Sequence, residues 1–321
     1  MDLHLLFDNL TNPALLFFFL GILAVQLKSD LCIPESSSKF ISLYLLFAIG
    51  FKGGQELSHS EFTSEIYFSL LAGVLLAILI PMYTYFILRR KFSVSNAGAI
   101  AASYGSVSAV TFVTAISFLD IEQISFGGHM VAVMALMEAP SIMVGLFLIH
   151  IFKKNKQKDD VSPKKVLHHA FTNGSVMLIL GSLVIGYLAS DAQAEGIRPF
   201  TTDIFKGFLA VFLLDMGIVS GKKLSDFIKK GPFAVLFAIV IPVVNGLIVA
   251  VLSGLWSDSV GNRFLLAILA ASASYIAVPA AMKLAAPKAN PSLYVSMALA
   301  ITFPFNITLG MPLYLYVIQN I

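Results

Sequence analysis

Ten apolar runs follow one another along the chain with short polar gaps between them, at roughly 13–28, 38–55, 66–89, 94–118, 124–152, 172–190, 199–220, 231–255, 263–285 and 291–319. A hydrocarbon core about 30 Å thick takes roughly 20 apolar residues per spanning helix, so the pattern predicts an all-α polytopic membrane protein of about ten transmembrane helices. The runs are continuous and do not alternate, which argues against a β-barrel. Only 12% of the residues are charged, against about 25% in soluble domains.

One polar stretch is long enough to divide the chain. Lys153-Lys154-Asn155-Lys156-Gln157-Lys158-Asp159-Asp160 and Ser162-Pro163-Lys164-Lys165 lie within 153–170, which reads as a cytoplasmic linker between a first five-helix repeat, 1–152, and a second, 171–321. With that linker inside, alternate loops place all but Lys52, Lys206, Arg198 and Arg263 of the 21 lysines and arginines on the cytoplasmic side, as the positive-inside rule asks. Both termini then lie outside, and the expected location is a bacterial inner membrane crossed many times. The net charge of +3 comes from these loops, so it reports topology and predicts no nucleic-acid partner. Cys32 is the one cysteine, which leaves no internal disulfide and no thiolate zinc site.

Five spans per half is an odd number, so the second half must enter the membrane inverted. Traces of an inverted repeat are present. Gly50, Gly54, Leu57 and Ser58 at the end of the second span match Gly217, Gly221, Leu224 and Ser225 at the end of the seventh, at one fixed offset. Met134-Ala135-Leu136 with Pro140 echoes Met297-Ala298-Leu299 with Pro304, and Ala-Ser-Tyr occurs at 102–104 and at 273–275. Inverted repeats are the architecture of secondary transporters.

The last of these echoes falls in two unusual runs. In residues 93–111, 13 of 19 are Gly, Ala, Ser or Thr, too little side chain to face lipid over that length. A close-packed helix interface is one reading. The other is a broken helix. Gly105 stands among serines, and in the partner run, Ala271 to Pro279, the proline removes a backbone donor and disfavours helix at Val278. A break exposes backbone groups that lipid cannot satisfy, so it must line a cavity. Two half-helix N-termini meeting there would each carry about half an elementary charge and free N–H groups, enough together to balance one monovalent anion. Occurrence in both halves favours the site reading. Gly105, Ser106, Ser108, Thr111, Ser272, Ser274 and Tyr275 are the expected substrate-binding residues.

Few ionisable residues lie inside spans, where insertion costs about 2.5–3.5 kcal/mol each. Glu138, beside Pro140 in the fifth span, is the better functional candidate; Asp215 is expected to pack within the bundle. His129, His150, His168 and His169 lack the spacing of metal ligands. No catalytic residues are expected, because no nucleophile elbow or Walker motif occurs.

Several stretches together resemble the cyanobacterial sodium-dependent bicarbonate transporter family. They are Ile33-Pro34-Glu35 leading into Gly50-Phe51-Lys52-Gly53-Gly54, Val107-Ser108, Met137-Glu138-Ala139-Pro140, Met216-Gly217, Ala270-Ala271-Ser272-Ala273-Ser274 and Lys288-Ala289-Asn290-Pro291-Ser292. The resemblance implies two inverted five-helix repeats with broken fourth and ninth helices, a core that moves past a gate, a trimer, and symport of sodium with bicarbonate. It carries over Ser108, Thr111, Ser272 and Ser274, with Ser108, Glu138 and Ser274 as expected sodium-coupling groups. A divergent member is implied. The family's Val-Ser-Gly-Ser-Thr is Val107-Ser108-Ala109-Val110-Thr111 here, and Tyr275 stands where the family has a carboxylate. Glu138 is then the carboxylate available to favour sodium, and the less polar pocket leaves a different organic anion as the alternative substrate. A passive anion channel fits less well, since charged rings are missing. Whether a cytoplasmic regulator docks is left open; the linker is short for a large docking platform.

Overall fold

Every regular element among the described residues of the computed structural model is helical, and those residues are 7, 9–153, 168, 172, 174–228 and 231–321. The expected linker lies outside them apart from Lys153 and His168. In chain order the helices are α1 (Pro13–Gln26), α2 (Glu35–Ser58), α3 (Ser64–Leu88), α4 (Val94–Gly105), α5 (Ala109–Ile121), α6 (His129–Phe152), α7 (Gly174–Leu188), α8 (Asp191–Arg198), α9 (Phe205–Ile228), α10 (Pro232–Leu252), α11 (Val260–Ala271), α12 (Ala277–Ala285) and α13 (Pro291–Gln319).

Local chemistry explains the ends. Asn12 accepts a hydrogen bond from the Ala14 N–H and Pro13 occupies the first turn of α1, where its missing donor costs nothing. Ser93, Ser108 and Ser259 cap α4, α5 and α11 in the same way. One helix was not among the expected spans: α8 begins at a reciprocal capping box between Ser190 and Gln193. Within α13 the winding widens to π turns at Met297–Thr302 and Asn306–Gly310. Pro304 lies between them and removes a backbone donor, which the wider turns accommodate.

Among the described residues, six stretches are long and apolar enough to cross a membrane: α3, α4 with α5, α6, α8 with α9, α10 and α13. The helices α1, α7 and α11 are apolar but shorter. Leu71, Leu75 and Leu79 on α3 and Leu236, Val240 and Val244 on α10 are exposed, the pattern of a lipid-facing surface.

Packing divides the helices into two groups. In the first, α1 lies along α9 and α2 along α7. Both contacts are backbone to backbone: Gly21 and Gly217 meet across one, while Gly54 faces Leu183 and Gly186 across the other, so that a Cβ at any of these glycines would overlap main chain. The matching Gly50/Gly54 and Gly217/Gly221 pairs thereby acquire a cause, since small residues one turn apart let helices approach closely. The second group consists of two trios, α3 with α4 and α6, and α10 with α11 and α13. The interrupted helices sit at its centre. Gly261 to Ala271 are all buried, as are Ala97 to Gly105.

Candidate functional site

The chain leaves helical geometry twice within the bundle, at 106–108 between α4 and α5 and at 272–276 between α11 and α12. The two breaks are stitched together. The Ser274 N–H donates to the Ser103 carbonyl at 2.8 Å, and the Ser103 hydroxyl returns a bond to the Ser274 carbonyl at 2.5 Å. The Ser108 N–H donates to the Ser272 Oγ at 3.1 Å, and that hydroxyl donates to the Leu269 carbonyl at 2.9 Å. Small hydroxylic residues suit these positions because Ser108, Ser272 and Ser274 bond local backbone while Ser103 and Ser272 bond the opposite break.

The truncated ends of α4 and α11 leave carbonyls that water cannot reach, and neighbouring helices supply the missing donors. Ser141 on α6 donates to the Ala102 carbonyl at 2.8 Å. Asn245 on α10 donates to Ala270 at 3.2 Å, and Asn306 on α13 donates to Ala271 at 2.8 Å. Asn245 is oriented in turn by the Tyr83 hydroxyl. Sequence reasoning missed these three residues. Polar side chains inside apolar runs were the signal available, and their partners lie far away in the chain.

On one side of the crossing is a cavity of about 20 Å3. Its wall is formed by Ser108 and Ala109 at the start of α5, Ser274 to Ala277 at the start of α12, Glu138 on α6, Ser42 and Leu46 on α2, and Ser175 on α7. Both half-helix N-termini therefore open onto it. The polar part of the wall is made of hydroxyls and one carboxylate, with no lysine or arginine among the described residues.

Of the expected substrate residues, Ser108, Ser274 and Tyr275 reach the cavity together with Glu138. Gly105, Ser106, Thr111 and Ser272 do not line it and stand behind it, buried. Ser272 is committed to stitching, and the Thr111 N–H is capped by Ser108 at 3.1 Å. The Ser106 Oγ is buried without a hydrogen-bond partner among the described residues. Ser42, Leu46 and Ser175 were not expected from sequence, because they belong to the other helix group. The Tyr275 hydroxyl points across the boundary between the groups to the Met216 sulfur on α9, 3.9 Å away. Asp215, next to Met216, is buried and accepts a bond from the Ser38 hydroxyl on α2. His129 is buried, with Nε2 lacking a partner among the described residues. No three His, Cys, Asp or Glu side chains come together as metal ligands among the described residues.

A polytopic helical membrane protein whose two interrupted helices meet beside a small internal cavity has the form of a membrane transporter. The chain belongs to the Na+-dependent bicarbonate transporter superfamily, whose family model matches residues 13–319. It is thus a membrane transporter and not an enzyme. No curated protein is significantly similar to it.

Proposed function

We propose that the protein is a secondary active transporter that couples sodium to the movement of bicarbonate, or a closely related small anion, through the cavity beside the two helix breaks. The observation that carries this reading is the convergence of two half-helix N-termini, three hydroxyl-bearing side chains from the breaks and one carboxylate on a single cavity. The N-termini and hydroxyls suit an oxyanion. Glu138, with the hydroxyl oxygens of Ser108 and Ser274, suits a hard cation such as sodium. Since no basic residue among those described lines the cavity, an anion entering beside an ionised Glu138 needs a cation with it, which makes co-transport the natural mode.

Size favours the smaller substrate over another organic anion. A cavity of about 20 Å3 has room for about one water-sized species, so even bicarbonate needs the wall to give. Tyr275 and Leu46 are the bulky groups that must move. Bicarbonate has four heavy atoms, so at a ceiling of about 1.5 kcal/mol per atom its binding is limited to about 6 kcal/mol, a Kd of tens of micromolar.

Ten spans in two inverted halves fit the packing. Exchanging α1 with α7, α2 with α9, and the trio α3, α4, α6 with α10, α11, α13 maps the most extensive helix contacts onto one another. With this reading go a first repeat over 1–152, a cytoplasmic linker over 153–170, a second repeat over 171–321, outside termini, placement in a bacterial inner membrane, and the trimer implied by resemblance. Tyr275, in the position of a family carboxylate, marks the chain as a divergent member.

The test is uptake of labelled bicarbonate by the purified protein in proteoliposomes. An inward sodium gradient is expected to drive accumulation above equilibrium. Downhill flux indifferent to sodium would establish a channel instead, and sodium-driven flux of a larger carboxylate without bicarbonate flux would establish the alternative substrate.

A further inference from the structure

A single face of α2 runs along the boundary between the two helix groups. Ser42 and Leu46, a turn apart on that face, line the cavity at the helix breaks. Further along the same face, Ile49, Gly53 and Glu56 line a second cavity of about 160 Å3, closed on the opposite side by Ile116 and Asp120 of α5 and by Phe126. Leu46 and Gly53 are seven residues apart, which at about 1.5 Å per residue separates the two cavities by about 10 Å along the helix. A third cavity, about 250 Å3, flanks α2 on the side of α8. Lys52 and Glu56 line both of the outer ones.

Lys52 is the unusual residue here. It is half-buried, it lies about a turn and a half from the end of α2, and it forms no ion pair among the described residues. Nearby carboxylates are engaged elsewhere: Asp191 pairs with His59 at 3.1 Å, and Glu195 pairs with Arg198 at 3.2 Å. Glu56 and Asp120, which share the second cavity with Lys52, are exposed. Water and salt screen exposed charges far more than a half-buried one. A half-buried ammonium in the wall of a cavity near the end of a membrane helix is placed to meet an anion that enters that cavity.

We propose that Lys52 is the anion contact of an outer station, a second site for a small monovalent oxyanion on the path to the helix breaks. The proposal rests on the transport reading above and adds a place where the anion is held directly by a protein charge. Lys52 belongs to α2, on the side of the boundary opposite to Ser108, Ser274 and Glu138. The anion therefore meets the lysine at the outer station and a co-bound cation at the breaks. Because Glu56 and Asp120 oppose any wide positive field, the lysine acts by contact and not by steering from a distance.

Two measurements test this. In proteoliposomes under a sodium gradient, Lys52→Gln is expected to raise the KM for bicarbonate about tenfold, the scale of one charge-assisted hydrogen bond. Maximal rate and half-saturating sodium should stay near wild type, and Lys52→Arg should restore most of the affinity. An unchanged KM, or a loss that Arg does not repair, overturns the proposal. In the second measurement, acylation of Lys52 in the wild-type protein is followed by mass spectrometry with bicarbonate, acetate or chloride present. Protection by bicarbonate and acetate beyond that by chloride is expected, and equal labelling in all three overturns the outer station. A wild-type protein that carries no bicarbonate defeats the function proposed above, whereas the labelling result still decides whether Lys52 holds an oxyanion.

Discussion

Ser108 and Ser274 both line the cavity at the helix breaks, yet their backbone duties differ. Ser108 accepts the Thr111 N–H at 3.1 Å as the cap of α5, so its removal costs roughly 1 kcal/mol of helix stability besides any substrate contact. Ser274 accepts the Val278 N–H at a weaker 3.4 Å. Ser274→Ala is therefore the cleaner probe of binding. It should raise the KM for bicarbonate several-fold while leaving the melting temperature near wild type, and an unchanged KM in both serine variants would remove these hydroxyls from the substrate site. Glu138→Gln should act on the other ligand, raising half-saturating sodium about tenfold or more with the protein still folded. Sodium dependence unaltered in that variant would exclude Glu138 as the coupling group. Uptake kinetics at varied bicarbonate and varied sodium separate the two effects.

The elements that hold these residues depend on donors from elsewhere. α11 ends inside the bundle because Asn245 and Asn306 satisfy the Ala270 and Ala271 carbonyls. Asn306→Leu keeps the branched shape and number of heavy atoms and removes the donor, leaving a buried carbonyl unpaired at a cost of about 1–3 kcal/mol. Thermal unfolding in detergent should show a lower Tm for this variant, with a smaller loss for Asn306→Gln if the longer amide still reaches the carbonyl. A Tm unchanged by Leu would mean that the cap contributes nothing. These donors also mark what could be read from the chain. The breaks themselves were legible, because Gly105, the serines around it and Pro279 are poor continuations of a membrane helix. Their partners were not legible, since Asn245 and Asn306 lie on α10 and α13 and nothing local assigns them to α11. The same holds for Ser42, Leu46 and Ser175, which reach the cavity only through the packing of α2 and α7 against the second helix group. The shared Gly50/Gly54 and Gly217/Gly221 pattern was visible as a repeat, but its physical cause, backbone contact between neighbouring helices, required the partner surfaces.

At the scale of the whole molecule, the cavity lies between two groups of helices that differ in how they are held. Within the first group, glycine-mediated backbone contacts join α1 to α9 and α2 to α7. Within the second, hydrogen bonds between side chains and carbonyls lock the interrupted helices to their neighbours. Across the boundary between them, Tyr275 meets the Met216 sulfur on α9 at 3.9 Å, the Ser220 hydroxyl on α9 donates to the Leu299 carbonyl on α13 at 2.9 Å, and Gly53 on α2 packs against the backbone of Gly128 at the start of α6. Because the cavity at the helix breaks is walled from both groups, a displacement of one group past the other would open and close it. Such sliding makes a definite prediction. Leu46 on α2 and Ala109 on α5 face the same cavity from opposite groups. With the exposed Cys32 replaced by Ser, cysteines at 46 and 109 joined by a short cleavable thiol reagent should stop bicarbonate transport, and cleavage of the reagent should restore it. Each single-cysteine variant treated in the same way is the control for plugging of the cavity. Full transport in the joined protein would show that the two groups work without relative motion, and the substrate would then have to cross by local opening around Tyr275.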